Sequence, residues 1–260
     1  MMKKLCFSAD VDRDMNECVP GSKAAVSSGT DGARFSSSEK GVNMILDMLD
    51  DIGIKATFFT EARTLDNIDA ALGNNEVAMH GLDHEDMTGE LSGIKLSDEE
   101  LADIMQTSRN IIRDMTGREP KGFRAPYMKI DERILRMLPK FGIRYDSSVY
   151  ASIGTQPYET AGGIKEIPVP FSADGNGKKI YAYLWPMHEG TRTPNDYIEI
   201  ANSVNDGIFV LATHSWHITE SISGGIMDPP RAEENIGNVR KILTSLLDNG
   251  FKAARMIDCV

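Results

Sequence analysis

The chain has 260 residues, 41% of them apolar and 26% charged, and this composition excludes a disordered or fibrous protein. Lys and Arg number 28 against 39 Asp and Glu, a formal net charge of −11, which disfavours nucleic acid and anionic membranes as partners. The apolar run Leu5 to Ala9 is too short for a secretory signal or a membrane span, so we expect one cytoplasmic domain over residues 1–260.

Short β-rich segments alternate with amphipathic segments, which predicts strand–helix units around a largely parallel sheet. Seven or eight such strands favour an α/β fold whose sheet closes into a barrel. The predicted strands are Leu5–Ala9, Lys55–Thr60, Glu76–His80, Gly122–Ala125, Ile143–Asp146, Tyr181–Trp185, Ile208–Thr213 and Lys252–Met256.

Three helices are predicted from apolar residues at helical spacing. The first has its apolar face between residues 42 and 52 and is closed by Gly53, and the last carries apolar residues between 236 and 246 and ends near Gly250. Between them, Ser97 and Glu100 form a capping box at the start of a helix for which Gly117 is the C-cap. We assign these apolar stripes to the core.

Two segments lack this alternation of strand and helix patterns, and both are rich in small or turn-forming residues: Arg13–Ser38 and Tyr150–Lys179. Their positions after the first and fifth strands place them at the carboxyl ends of the strands, where barrel enzymes have their active sites. Binding or lid loops and plain surface loops are equally consistent with this pattern.

Chemistry-bearing residues follow several predicted strands. Asp10 and Asp12 follow the first strand and share a face, although Asp12 could instead cap a turn. His80 and His84 follow the third strand at a spacing that brings both onto one side of a helical turn. With Asp12, they would make a three-ligand metal site that leaves positions open for water and substrate.

Two later strand ends add further candidates. Arg124 could pair with a carboxylate or form a structural salt bridge, and the turn at Tyr127 could aim a backbone N–H at an oxyanion. His214 is a candidate proton donor, or a buried histidine that is merely hydrogen-bonded. The three cysteines are odd in number and show no CxxC spacing, so we expect separate buried or surface thiols: Cys6, Cys18 and Cys259.

In this order the motifs resemble the NodB-homology polysaccharide deacetylase family, also called carbohydrate esterase family four, over nearly the whole chain. The motifs that carry the resemblance are Gly53–Phe59, His80–Asp86, Thr116–Tyr127 and Tyr145–Ser148. The resemblance implies a distorted (β/α) barrel, commonly with seven strands, and hydrolysis of an N-acetyl or O-acetyl group by a metal-activated water.

The resemblance also implies a role for each matching residue. The implied roles are Asp10 as catalytic base, Asp12, His80 and His84 as metal ligands, Arg124 as the residue that orients the base, the Tyr127 amide at the oxyanion, His214 as acid, and Trp185 or Trp216 as acyl-pocket walls. His217 is the alternative acid. The implied cofactor is one divalent ion, expected to be Zn²⁺, with Co²⁺, Ni²⁺, Mn²⁺ or Fe²⁺ as alternatives.

One motif departs from the common family pattern of adjacent aspartates followed by glycine, because Val11 separates Asp10 from Asp12. This form resembles a subgroup similar to peptidoglycan deacetylases and to allantoinase-like amidohydrolases. We therefore expect N-deacetylation of an N-acetylated sugar or related amide, on a small-molecule or oligosaccharide substrate. The alternatives are metal-independent hydrolysis of a small cyclic amide, and an inactive barrel that binds a glycan or a protein. The oligomeric state is left open.

Overall fold

The first strand lies inside the main sheet, second in its strand order, in the computed structural model, which describes residues 2–260. This strand, β1 (Lys3–Val11), pairs in parallel with one strand on each side, and all of its residues from Leu5 to Val11 are buried. Burial on both faces is typical of a parallel sheet, which explains why the segment is not a simple alternation of apolar and polar residues.

The elements alternate along the chain as strand–helix units. The other strands are β2 (Asn16–Glu17), β3 (Val26–Ser27), β4 (Thr57–Thr60), β5 (Glu76–Met79), β6 (Gly122–Phe123), β7 (Tyr145–Asp146), β8 (Tyr150–Ser152), β9 (Tyr158–Glu159), β10 (Lys165–Glu166), β11 (Val169–Ala173), β12 (Lys179–Tyr181), β13 (Gly207–His214), β14 (Glu220–Ser221), β15 (Gly225–Ile226) and β16 (Lys252–Ala253). The α-helices are α1 (Ser36–Ile52), α2 (Ala62–Leu65), α3 (Asp98–Thr116), α4 (Glu132–Met137), α5 (Trp185–His188), α6 (Pro194–Asn202) and α7 (Pro229–Asp248). Short 3₁₀ helices cover Pro126–Met128, Leu138–Phe141, Ala161–Gly163, Trp216–Ile218 and Met256–Cys259.

The main sheet has the strand order β13-β1-β4-β5-β6-β7-β10-β9, and its first seven strands are mutually parallel. A second sheet, β12-β11-β8, continues from the β10 side. The segment after β12 joins the two ends, because Ala182 N donates to Pro170 O on β11 and Leu184 N donates to Ala212 O on β13. The sheet therefore curls strongly, and the expected α/β fold with a distorted barrel of seven parallel strands is confirmed.

The predicted helices are present and end where predicted, although α1 begins at Ser36 and α7 at Pro229, before their apolar stripes. Ser97 and Glu100 form the capping box of α3, and Gly53 and Gly117 end α1 and α3 in the left-handed conformation. The start of α1 was not predicted. It is capped by a residue remote in sequence, because the Asp14 carboxylate accepts hydrogen bonds from the backbone N–H groups at the first turn of the helix. This contact ties α1 to the loop that follows β1. No helix within residues 2–260 is both long and apolar enough to cross a membrane.

Some predicted boundaries were wrong. Trp185 is not in a strand but begins α5, where Pro186 fits the first helical turn, and the final strand stops at Ala253. The segment 150–179 is not a plain loop, since it contains β8 to β11, and 13–38 contains the β2–β3 hairpin. These strands have two to five residues, too few for a periodic pattern to reveal.

Candidate active site

Asp10 lies at the carboxyl end of β1, where it is almost completely buried. Arg124 Nη1 donates to its Oδ1 at 2.7 Å, and the Tyr183 hydroxyl donates to its Oδ2 at 2.5 Å. Burial raises the pKa of Asp10, but the charges of Arg124, His80 and His214 and the Tyr183 hydrogen bond together bring it below its usual value. The carboxylate is therefore held ionised in one orientation.

Asp12, His80 and His84 lie together, with potential ligand atoms within 4.8 Å of one another and all three side chains buried. His80 Nδ1 is 2.8 Å from the carbonyl oxygen of Arg124, which can only accept a hydrogen bond. This contact places the hydrogen on Nδ1 and leaves the Nε2 lone pair of the neutral ring free to bind a metal. His84 Nε2 lies 3.3 Å from Asp12 Oδ2.

The donor set fits a divalent cation. Asn16 Nδ2 donates to Asp12 Oδ2 at 2.6 Å, whereas Asp12 Oδ1 is buried without a hydrogen-bond partner among the described residues. Burial raises the pKa of Asp12 to about 7 and lowers that of His84 to about 4. An orphaned buried carboxylate oxygen beside two neutral imidazoles is the arrangement that a cation would complete.

The segment between the two histidines is not a helical turn, contrary to the expectation from their spacing. It is a bend in which Gly81 and His84 have positive φ values of 79° and 52°. The buried carboxylate of Glu85 accepts hydrogen bonds from the backbone N–H groups of Leu82 and Asp83 and so fixes the bend. The two imidazoles are therefore brought together by loop geometry and not by helical periodicity.

Arg124 follows β6 and is fully buried. Besides Asp10, it donates to Ser8 Oγ, to the Ser147 carbonyl and to Ser147 Oγ, and its guanidinium lies 4.1 Å from the centre of the Phe59 ring. These partners lie on β1, on β4 and directly after β7, so Arg124 reaches across the inside of the curled sheet. Arg124 is therefore more than a surface salt bridge, since it fixes the orientation of Asp10 from inside the sheet.

Tyr127 follows Pro126 and has a left-handed backbone, with φ 57° and ψ 12°. The rings of Tyr127 and His84 pack edge to face with centroids 4.5 Å apart, and Tyr127 lines the same cavity as Asp10. A non-glycine residue in this conformation is strained, and strain of this kind is found at sites where the backbone is positioned for a task.

The two candidate acids occupy different environments. His214 ends β13, lines the cavity, and has Nε2 3.0 Å from the Tyr183 hydroxyl. His217 Nε2 lies 2.7 Å from Glu189 Oε1 and does not line the cavity. Burial lowers the pKa of His214, while the charges of Asp12 and Asp10 act in the opposite direction.

The cavity at this rim has a volume of about 500 Å³ and a largely aromatic wall. Trp185, 50% exposed, stands at its mouth, and the Trp216 ring stacks on His214 with centroids 5.3 Å apart. Sequence reasoning missed seven lining residues: Asn16, Met128, Tyr150, Tyr181, Tyr183, Pro186 and Ile222. The alternation of Tyr181 and Tyr183 in a predicted strand was the available signal, because residues two apart share a face.

Comparison with known proteins gives a consistent family. The family model for polysaccharide deacetylase matches residues 30–145. A peptidoglycan deacetylase of Helicobacter pylori is 24% identical over 206 residues, which cover 77% of this chain and 66% of that protein. The chain spans 32% and 66% of the length of the two curated relatives that it matches, less than two thirds of either.

Two solved structures share the fold. A candidate polysaccharide deacetylase from Mycobacterium smegmatis superposes with a TM-score of 0.64 at 22% identity, covering 94% of this chain and 84% of that one. The PuuE allantoinase superposes with a TM-score of 0.62 at 16% identity, covering 99% of this chain and 88% of that one. At these identities the likeness concerns the fold and not the reaction.

Proposed function

Because this chain belongs to the polysaccharide deacetylase family of the NodB-homology type, we propose that it hydrolyses an acetylated substrate, most simply the N-acetyl group of a sugar or related amide. One observation carries the proposal: the Asp10 carboxylate, tethered by Arg124, lies beside the Asp12, His80 and His84 cluster. A general base next to a metal-ligand set is required for hydrolysis by an activated water, and a pure binding module does not need one.

Asp12, His80 and His84 would hold one divalent ion. Two imidazoles and one carboxylate are typical of a catalytic zinc site, and the same set accepts Co²⁺, Ni²⁺, Mn²⁺ or Fe²⁺. When bound there, such an ion would polarise the scissile carbonyl and lower the pKa of water towards neutrality.

Asp10 acts as the general base. Its carboxylate is held ionised by Arg124, and each of its oxygens keeps a second lone pair beyond the hydrogen bonds from Arg124 and Tyr183. A water molecule beside the Asp10 carboxylate gives a proton to Asp10 as the water oxygen attacks the acetyl carbon. The backbone N–H of Tyr127 would donate to the oxyanion that develops on the carbonyl oxygen.

His214 acts as the general acid that protonates the departing amine, which otherwise leaves poorly. Tyr183 donates its hydrogen to Asp10, so its oxygen is free to accept the hydrogen of His214 Nε2. After turnover, Asp10 carries a proton and His214 lacks one. Transfer of the Asp10 proton to the Tyr183 oxygen, with release of the Tyr183 hydrogen to His214, would restore both groups.

The cavity supports a sugar as the substrate. Its aromatic wall, with Trp185 at the mouth and Trp216 against His214, suits the apolar face of a sugar ring, and its volume of about 500 Å³ exceeds what an acetyl group alone requires. We therefore place a small N-acetylated sugar or an oligosaccharide in it, with the acetyl carbon next to Asp10.

The test is metal content together with activity. The protein is purified without added metal, and bound metal is measured by elemental analysis in the wild type, His80→Ala, His84→Ala and the control Asp10→Asn, which leaves the ligand set intact. We expect about one ion per chain in the wild type and in Asp10→Asn, little in the two histidine variants, and acetate release from N-acetylglucosamine oligomers by the wild type alone.

The other outcomes separate the alternatives. A folded wild-type protein that takes up no Zn²⁺, yet hydrolyses a small cyclic amide, would replace the proposal by the allantoinase-like reaction. Metal binding with no acetate release from any N-acetyl sugar would overturn the substrate class, and tight glycan binding without any turnover would identify an inactive barrel.

A further inference from the structure

Cys6 and Cys259 lie next to each other, although 253 residues separate them along the chain. Cys6 is on β1 and Cys259 is in the 3₁₀ helix Met256–Cys259, and their sulfur atoms are 3.7 Å apart. We propose that these two residues form a dithiol site that closes to an intramolecular disulfide by exchange with a small-molecule disulfide. All three cysteines are free thiols in the structure, as expected from the sequence, and the disulfide is our proposal for the oxidised protein.

The pair lies at the end of the sheet opposite the active site. Cys6, Ser8 and Asp10 alternate along β1 and so share its inward face, with Asp10 at the carboxyl end. Arg124 contacts both Ser8 and Asp10, which confirms that this face leads towards the active site. Cys6 is therefore one layer further from the cavity than Ser8.

The segment that carries Cys259 is fixed against this end of the sheet. Met256 N donates to Thr57 Oγ1 and Ile257 N donates to Glu76 Oε2, both at 3.0 Å and both to side chains of neighbouring strands. The strand pairing of Lys252 and Ala253 with β1 fixes the preceding residues. Cys259 is thus held near Cys6 by contacts that do not involve either sulfur.

The two thiols differ in a way that assigns their roles. Cys6 is fully buried, whereas Cys259 is partly exposed and has Lys4 Nζ 3.7 Å from its sulfur. The hydrogen bond from Cys6 and the charge of Lys4 lower the pKa of Cys259 against the effect of burial, and the pKa of Cys6 is raised. Cys259 is therefore the attacking thiolate and Cys6 the resolving one.

The exchange runs in two steps. The Cys259 thiolate attacks one sulfur of a disulfide RSSR, forms the mixed disulfide Cys259–S–S–R and releases RS⁻. The Cys6 thiol then gives its proton to the released RS⁻ and attacks the Cys259 sulfur, forming the Cys6–Cys259 bond and releasing a second RS⁻, which takes a proton from solvent. The protein dithiol is oxidised by two electrons, and RSSR is reduced to two thiols.

The bond would close a covalent loop from residue 6 to residue 259. A cross-link over so long a loop restricts the unfolded chain strongly, so we expect the melting temperature of the oxidised protein to rise by about 5 °C, with reversal by a thiol reductant. Because the pair lies at the far end of β1 from Asp10, we expect no change in kcat on oxidation.

The experiment uses the full chain in oxidised and reduced glutathione buffers, followed by alkylation and peptide mapping by mass spectrometry without reduction. We expect a peptide pair joined through Cys6 and Cys259, with Cys18 still alkylated. Cys18→Ser is the matched control and should form the same bond, whereas Cys259→Ser should keep Cys6 as a free thiol. The wild-type map needs no variant, so a variant that fails to fold does not affect the test.

Two results would overturn the proposal. One is a natively folded protein in fully oxidised glutathione in which Cys6 and Cys259 remain separately alkylated or stop at a glutathione adduct. The other is a joined peptide pair that appears only above the temperature at which the protein unfolds.

Discussion

The hydroxyl of Tyr183 lies 2.5 Å from Asp10 Oδ2 and 3.0 Å from His214 Nε2, so one side chain contacts both groups that the proposed reaction uses for proton transfer. Tyr183 reaches this position because it pairs with Ala212 of β13 as an isolated parallel bridge, two residues before His214. The contact that closes the sheet is thus also the contact that joins base and acid.

Tyr183→Phe should reduce kcat for amide hydrolysis by about tenfold to a hundredfold, because a hydrogen bond to a charged group contributes about 1.5–3 kcal/mol. If Tyr183 orients His214, the loss of kcat in Tyr183→Phe depends on whether the leaving group needs a proton. We expect a much smaller loss with p-nitrophenyl acetate, whose leaving group needs no proton, and unchanged metal content. Equal losses on both substrates would show that Tyr183 serves only to support the fold or the base.

Asp10→Asn should retain bound metal and lose about 10²- to 10⁴-fold in kcat, the usual contribution of a general base. Asn keeps the shape of the side chain and can still accept from Arg124 through its carbonyl oxygen, so the fold should persist. Steady-state kinetics with metal analysis on the same samples is the measurement, and a kcat within a factor of two of the wild type would refute the role of base.

His214→Ala and His217→Ala should fail in different ways. Loss of His214 removes the acid, so amide hydrolysis should fall while p-nitrophenyl acetate hydrolysis largely remains. Loss of His217 removes a fully buried side chain and its hydrogen bond with the half-buried Glu189, so the melting temperature should fall while the leaving-group dependence stays that of the wild type. The reverse pattern would assign the acid to His217.

The strand ends were predictable from sequence, because each candidate follows a β-rich segment and parallel strands end at the same edge: Asp10, His80, Arg124 and His214 are all at the rim. The family and the barrel followed from the same motifs. The alternation of Tyr181 and Tyr183 indicated a shared face, but the contact of Tyr183 with Asp10 and His214 was not predictable, because a single bridge with Ala212 positions it. The bend at His84 depends on a positive φ that the HxxxH spacing does not encode.

Gly41→Ala should destabilise the protein and disturb the acid side of the active site. A Cβ at Gly41 would lie 1.9 Å from the backbone oxygen of Ser215, the residue after His214, so α1 would have to move away from the rim. Gly237→Ala in α7 is the matched control, since no atom lies within 4 Å of its Cβ position.

Thermal unfolding of both glycine variants is the measurement. We expect a lower melting temperature for Gly41→Ala and an equal or higher one for Gly237→Ala, because alanine favours a helix by about 1 kcal/mol over glycine. Equal shifts in the same direction would show that the contact between α1 and Ser215 is not close in solution.

Glu166→Gln should make the protein more stable at alkaline pH than the wild type. Glu166 on β10 pairs with Asp146 on β7, accepts from Val149 N, and has Oε2 buried without a partner among the described residues. Burial and the Asp146 charge raise its pKa to about 11, and Arg124 acts weakly in the opposite direction. Tyr158 is the other titratable group that Glu166 influences.

The sign of the pH dependence follows from the raised pKa. Below about pH 4, Glu166 is protonated in both the folded and the unfolded protein, and the folded protein has its full stability. As the pH rises towards about 11, the unfolded chain loses this proton while the folded chain keeps it, so the free energy of unfolding decreases. Glutamine removes this loss of stability and can still accept the hydrogen bond from Val149 N.

The measurement is the melting temperature of Glu166→Gln minus that of the wild type. This difference should increase between about pH 6 and about pH 9, whereas Glu159→Gln on exposed β9 should show no such trend. A constant difference across that range would show that Glu166 is ionised in the folded protein.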